Sequence, residues 1–353
     1  MGHALTAPGG GKFSDRVAEW ARDHYLGPLV TFGEWLTYEP PKVGGKPSFA
    51  LTAPGSGQLP PGNPAAAKAG HGGQQITPVF PARLTSPAGK PLHGEGVWRV
   101  LRSVHGVPAL FGTYLRPDRL HTSYAEGIVS MDQRLVRFQL HPGAEDPGPG
   151  NWRVPPTIPP GSRSGLVATF NGGFKIASAE GGFYLNGERK GTLQRGAASL
   201  VYYRDGRVAI GSWGRDVRMT PQVKGVRQNL KLIVDHGRVP AAVDVNVQSS
   251  WGATLGGGEF VWRSGVGITA DGRVIYVYGP ALNVRELADL LRRAGCVRAL
   301  QLDINPDWMS FMYYRPGRHP ADPTPVNLLP DQVQSPDRFY AISSRDFTAV
   351  LAR

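Results

Sequence analysis

Three segments of this 353-residue chain share one plan, and that plan restricts the fold more than any other feature. Residues 200–203 and 208–210 flank Asp205-Gly206, 230–234 and Val239 flank His236-Gly237, and 266–268 and 274–278 flank Asp271-Gly272. Each reads as a β-hairpin, because Asp-Gly readily supplies the positive φ angles of a primed turn; the His-Gly version carries the weaker signal. Further short apolar runs at 97–101, 127–131 and 135–140 lie between turn residues and suit successive strands. With 47 glycines and 32 prolines breaking the chain, the expected class is α+β, a strand-rich mixed or antiparallel sheet core with hairpins and few helices.

One helix stands out. It follows Asn283, with Val284, Leu287, Ala288, Leu291 and Ala294 on one face, Glu286 completing a capping-box start and Gly295 ending it. Cys296 is expected on this helix, packed among apolar neighbours, and as the sole cysteine it has neither a disulfide partner nor a second thiolate for zinc. The helix delivers the chain to a strand at 299–302. A shorter amphipathic helix is expected at 14–25. The expected division is an N-terminal helical segment over 1–39, a Pro/Gly-rich linker over 40–80, mobile at least to Gly73 because its composition buries too little surface to offset ordering, and one domain over 81–353.

Thirty-nine Lys and Arg against 27 Asp and Glu leave a formal charge of +12, which draws polyanions toward the surface. The basic residues are scattered singly, so nucleic acid is not the expected partner. No stretch reaches the roughly 20 apolar residues of a membrane span. Met1-Gly2-His3 reads as an artificial start, so an export signal or membrane anchor is expected to have preceded it, and a membrane role only through such an anchor.

Chemistry concentrates in three places. Asn171, Gly172, Gly173, Phe174 and Lys175 follow an apolar strand at 166–169; the glycines let a ligand approach the backbone, and Asn171 and Lys175 add donors for phosphate or sugar oxygens. Arg263, followed by Ser264-Gly265-Val266-Gly267, offers a planar fork for phosphate. A third group, Asp303, Asn305, Asp307 and Trp308, sits in a loop at a strand end broken by Pro306. There the two carboxylates could act as acid and base, Asn305 could hold a hydroxyl and Trp308 could stack on a pyranose. Against these stand plainer readings: a solvated Lys on a turn, a surface Arg, an Asp that only braces its loop.

Taken in order, Asn171-Gly172-Gly173-Phe174, then Arg263-Ser264-Gly265-Val266-Gly267 with Thr269-Ala270-Asp271-Gly272, then a helix and Leu302-Asp303 resemble the phosphodiester glycosidase domain family over about residues 95 to 315. The resemblance implies removal of a sugar from a phosphodiester, with Asn171, Arg263 and Asp303 as catalytic residues. The family continues after its Asp with a glycine triplet, whereas this chain reads Ile304-Asn305-Pro306-Asp307-Trp308, so the backbone path there must differ. Gly211-Ser212-Trp213-Gly214-Arg215-Asp216, Arg227-Gln228-Asn229 and the Asp303-Ile304-Asn305-Pro306 loop also resemble an actinobacterial exported subgroup, which implies an extracellular or cell-surface location.

The expectation is therefore a hydrolase acting on a phosphate-bearing carbohydrate. Arg263, Lys175 and the backbone of Gly172 and Gly173 would grip phosphate, Asp303 would act at the anomeric carbon, and Arg227, Asn229, Asn305, Asp307 and Trp308 would line the pocket. The Asp303 loop could hold Ca²⁺ or Mg²⁺, but no run matches a ligand loop of known spacing, so no metal or cofactor is assigned. The alternatives are a non-catalytic module binding anionic wall polymers, and a glycosidase on phosphate-free glycans that stacks sugar on Trp251, Trp262 and Trp308.

Overall fold

A computed structural model describes residues 39–52, 76–245, 250–252 and 258–353. The helix expected at 14–25 lies outside them, as does 53–75 of the expected linker. The described chain is built from three sheets in which every strand pairing is antiparallel.

The seven-stranded sheet contains β1 (Arg99–Val104), β2 (Val107–Leu115), β3 (Glu126–Met131), β13 (Val274–Leu282), β12 (Val261–Thr269), β14 (Cys296–Gln301) and β11 (Leu232–Val234), in that order across the sheet. A five-stranded sheet runs β7 (Glu188–Lys190), β6 (Phe183–Leu185), β10 (Val223–Gln228), β8 (Ala198–Tyr203) and β9 (Val208–Ser212). The other runs β16 (Thr324–Asn327), β15 (Phe311–Arg315), β5 (Leu166–Asn171), β17 (Phe347–Ala352) and β4 (Val136–His141).

Two of the three hairpins form as expected, β8–β9 about Asp205-Gly206 and β12–β13 about Asp271-Gly272. The third does not. At His236-Gly237 only an isolated bridge joins Asp235 to Arg238, and β11 pairs instead with β14. Leu232 and Val234 thus bury themselves in the large sheet, a gain that outweighs a short local ribbon.

Helix α1 (Val284–Arg293) carries its Asn283–Glu286 capping box and buries Val284, Leu287, Ala288, Leu290 and Leu291. A ten-residue helix is marginal by itself, but each buried Leu adds about 1.5–3 kcal/mol, so packing fastens it. It lies on the face of the large sheet that carries Ile128, Ile275, Val277 and Ala299. Gly265 and Gly267 of β12 admit that approach, since a Cβ at Gly265 would stand 3.1 Å from Leu291 and one at Gly267 2.4 Å from the Cys296 sulfur. Cys296 itself opens β14 rather than lying on the helix, because Gly295, at φ +90°, has already turned the chain; it is buried as expected, and burial pushes its thiol pKa up.

The opposite face of the large sheet, with Val129, Val266, Tyr276 and Tyr278, shares one core with Phe138, Ala168, Phe170, Leu200 and Val350 from the two smaller sheets. Phe49 and Leu51, from the stretch expected to be a linker, pack with it too. Leu51 is buried, the Phe49 ring meets Tyr114 edge-on at 5.2 Å, and the Gly44 amide donates to the Leu120 carbonyl at 2.7 Å. No helix among the described residues is long and apolar enough to cross a membrane.

One core contact sets a pH dependence. His141 ends β4, stacked on Phe347 at 4.6 Å, with Nδ1 donating to the Pro155 carbonyl at 2.9 Å. Burial, reinforced by nearby Lys224, pushes its pKa down to about 4 from 6.5. The unfolded chain then binds a proton that the folded chain refuses, so stability is intact above pH 6.5 and falls as pH drops toward 4, by about 3 kcal/mol in all. Urea denaturation of a His141→Gln variant should show a shallower fall between pH 6.5 and 4; a slope equal to wild type would refute the assignment.

Candidate active site

Strand β5 ends at Asn171, and the turn that follows is clamped by side chains from distant strands. The Gly172 amide donates to the Asp346 carbonyl at 2.9 Å, and the Gly172 carbonyl accepts from Asn171 Nδ2 at 2.7 Å. Arg345 Nη2 donates to the Gly173 carbonyl at 3.1 Å, the Phe174 amide donates to Asn229 Oδ1 at 3.0 Å, and Arg227 Nη2 donates to the Phe174 carbonyl. This corrects the expectation that the two glycines open the backbone to a ligand. A Cβ at Gly172 would lie 2.1 Å from Asp346 Oδ2 and one at Gly173 2.7 Å from Asn229 Oδ1, so the glycines make room for the protein's own side chains.

Asn171 begins a chain of buried hydrogen bonds. Tyr276 donates its hydroxyl to Asn171 Oδ1 at 2.5 Å, and burial raises that phenol's pKa well above its usual value, keeping it a donor. Asn171 Nδ2 donates to Ser264 Oγ at 3.1 Å, and Ser264 Oγ accepts from the Asp303 amide at 3.1 Å. Asn171 is therefore a positioning residue that fixes Ser264 and, through it, the start of the Asp303 loop.

Asp303 stands one residue beyond β14, after Leu302, and is 4% exposed. Its Oδ1 accepts from the amides of Ile304 at 2.7 Å and Asn305 at 3.0 Å, which aims the carboxylate, and its Oδ2 lies 3.5 Å from Arg345 Nη2. The loop holds its own shape: Asn305 Oδ1 accepts from the Asp307 amide at 2.9 Å, and the Asn305 carbonyl accepts from the amides of Trp308 and Met309. Two guanidiniums lie over the Trp308 ring, Arg338 at 5.1 Å and Arg345 at 5.3 Å. Burial and repulsion from Arg345 push the Arg338 pKa down to about 10, with Asp303 and Asp307 acting against the fall, so it stays charged at neutral pH. The cluster thus sets two cations over Trp308, Arg345 paired with the carboxylates of Asp303 and Asp146 and Arg338 within the field of Asp303 and Asp307.

Arg263 does not join this group. Residues alternate faces along a strand, and Ser264 takes the Asn171–Asp303 side of β12, so Arg263 points toward α1. There it is fully buried, donating to the Leu282 carbonyl at 2.9 Å, Gln301 Oε1 at 2.9 Å and the Glu259 carbonyl at 3.3 Å. Burial lowers its pKa to about 10. Its bonds brace the helix side of the sheet, and none reaches Asp303.

Arg227 and Asn229 meet the turn from β10 and just beyond it. Arg227 forms a buried two-pronged pair with Asp346, Nε to Oδ2 at 3.0 Å and Nη2 to Oδ1 at 3.1 Å, and Asn229 Nδ2 donates to the carbonyls of Gln301 and Leu302. Both therefore hold the framework beneath Asp303. Lys175 follows the turn half-buried, capping a short 3₁₀ turn at Ile176–Ser178. Trp251 is buried in the core beside α1, which removes it as a sugar platform, and Trp262 is half-buried against the central core.

Sequence reasoning missed Ser264, Tyr276, Arg338, Arg345 and Asp346 as site residues. The one signal for the last two was a charged pair set directly before an apolar strand, too common to single out. A cavity of about 1010 Å³ lies elsewhere, lined by Asp132, Arg134, Asp205, Arg207 and Asp271 among others. It opens at the hairpin-turn end of β12, a strand length from Ser264, and its mixed charges match no expected role.

Comparison with known proteins bears on the same region. Residues 164–303 match the phosphodiester glycosidase family model. No curated protein sequence matches the chain. Among solved structures, the chain is similar to the catalytic domain of zebrafish N-acetylglucosamine-1-phosphodiester alpha-N-acetylglucosaminidase, auto-inhibited by its pro-peptide, at 14% identity and a TM-score of 0.43, covering 69% of this chain and 82% of that one. It is also similar to a hypothetical protein from Synechocystis, at 11% identity and a TM-score of 0.38, covering 70% of this chain and 63% of that one. The segment that resembles the phosphodiester glycosidase family therefore runs from 164 to 303, with Asn171 near its start and Asp303 at its end.

Proposed function

We propose that this chain hydrolyses the bond between a sugar's anomeric carbon and a phosphodiester in an extracellular or cell-surface glycan. The observation that carries the reading is the Asp303 carboxylate held 3.5 Å from Arg345 beside Arg338, at the end of the segment that matches the family. Water attacks the anomeric carbon as Asp303 takes its proton; alternatively Asp303 attacks directly and water releases the sugar in a second step. In either course the anomeric C–O bond breaks and the phosphate leaves with the electron pair as a monoester dianion. Arg345 and Arg338 offset the charge that grows there, a stabilisation that preorganised cations supply best in a buried site. A phosphate needs little protonation to leave, so one carboxylate suffices.

This assigns the phosphate to Arg345 and Arg338 rather than to Arg263. On a nucleotide sugar, Arg345→Ala should lower kcat/KM about 10²–10³-fold, the usual loss for one preorganised charge-stabilising donor. Activity on a neutral aryl glycoside should change far less. Equal losses on both substrates would remove the phosphate role, and a variant as active as wild type would remove Arg345 from the site.

A further inference from the structure

On the α1 side of the large sheet lies a second cluster of chemistry-bearing residues, separate from Asp303. Asp118 and His121 sit in the loop between β2 and β3, with Asp118 Oδ2 and His121 Nδ1 2.6 Å apart, and Glu286 lies in the first turn of α1. One ligand atom from each of the three lies within 4.8 Å of the other two. Each carboxylate spends one oxygen on its own backbone: Asp118 Oδ1 accepts from the amides of Leu120 and His121, and Glu286 Oε2 accepts from the Asn283 amide at 3.0 Å. The carboxyl groups of Asp118 and Glu286 are nevertheless within hydrogen-bond reach of each other. Two carboxylates so placed repel unless a proton or a cation stands between them.

A separate observation favours a cation. Glu126, the first residue of β3, is 0% exposed, and neither of its carboxyl oxygens has a hydrogen-bond partner. Leaving such a group buried and unpaired is costly, so it calls for a ligand. Its side chain lies on the α1 face, since Ile128, two residues on, packs with the helix. The carboxyl crosses β13 at Gly279, where a Cβ would stand 1.7 Å from Glu126 Oε2, and the charges acting on it are Asp331 first, then Glu286 and Asp118. Glu126 thus lies on the same side of the sheet as the three, within the field of their carboxylates though outside the 4.8 Å group, while Asp118, with 19% of its side chain exposed, leaves a way in from solvent.

We propose that Asp118, His121 and Glu286, with Glu126 on the same side of the sheet, bind a divalent transition-metal ion of the manganese or zinc class. Carboxylates joined by an imidazole suit those ions, whereas calcium and magnesium take oxygen donors alone. The ion ties the β2–β3 loop to the start of α1 and stands on the face of the sheet opposite Ser264, so its role is structural.

Calorimetric titration of the chelator-treated full chain with MnCl₂ and with ZnCl₂ tests this. Wild type should bind one of the two ions with one-to-one stoichiometry and melt at a higher temperature when loaded. His121→Ala should weaken binding by at least about 10- to 100-fold, the loss expected even for outer-shell partners. Glu126→Gln and Glu286→Gln should do likewise; both keep side-chain shape, and Gln still completes a capping box, so these variants separate lost ligation from lost folding. Absence of binding by wild type, binding of calcium alone, or undiminished binding by the two Gln variants would each overturn the proposal.

Discussion

Asp303→Asn is expected to cut release of free sugar from a nucleotide sugar by at least about 10³-fold, within the range that positioned acid–base groups supply, while the melting temperature stays close to wild type. The amide keeps an oxygen for the Ile304 and Asn305 N–H groups that shape the loop, so the backbone has no cause to move. What is lost is the negative charge facing Arg345, and Arg345 retains Asp146 at 3.8 Å and the Gly173 carbonyl as partners. The variant therefore isolates chemistry from folding. Wild-type rates would end the glycosidase reading, whereas tight binding of a phosphorylated polymer without product by the unmodified protein would recast the chain as a wall-binding module.

The second large effect concerns stability. Asp346→Ala should destabilise the fold by about 3–5 kcal/mol in urea denaturation, because it strands the guanidinium of Arg227, which is 1% exposed, without its carboxylate. Removing both charges together, as Arg227→Met with Asp346→Leu, should cost less than the single change, since an apolar pair leaves no buried ion unpaired. The double variant should still lose activity, because the Phe174 carbonyl loses the donor that anchors the Gly172–Gly173 turn. A single variant within about 1 kcal/mol of wild type would show that the pair is less buried in solution than here.

Local features were legible in the sequence where local physics decides them. Asp205-Gly206 and Asp271-Gly272 announced their turns, and Asn283 with Glu286 announced the start of α1. Positions 171 and 303 were legible as strand ends broken by Gly or Pro. What the residues could not disclose was which side of a strand faces which layer. Arg263 and Ser264 are neighbours in sequence, and only the packing of α1 over Gly265 and Gly267 decides that the Arg turns away from Asp303 while the Ser meets it. The glycines of 172 and 173 misled for a related reason: what approaches them is Asp346 and Asn229, remote in sequence. His236-Gly237 failed because β14, distant along the chain, offers β11 a better partner than its own turn does.

Strand β17 comes late in the chain yet lies between β5 and β4 in its sheet, and it directly follows Arg345 and Asp346. Asp346 is 119 residues from Arg227 and Arg345 is 42 from Asp303. During synthesis, Asn171, Ser264 and Asp303 all leave the ribosome before the strand that completes their surroundings, so a growing chain carries an unfilled slot in that sheet until β17 emerges. Closing such distant pairings is slow, and until then the edges of β5 and β4 lie open to other chains. Ordering of the Asp303 surroundings should thus wait for residues 345–352 and not be a property of the 164–303 segment alone.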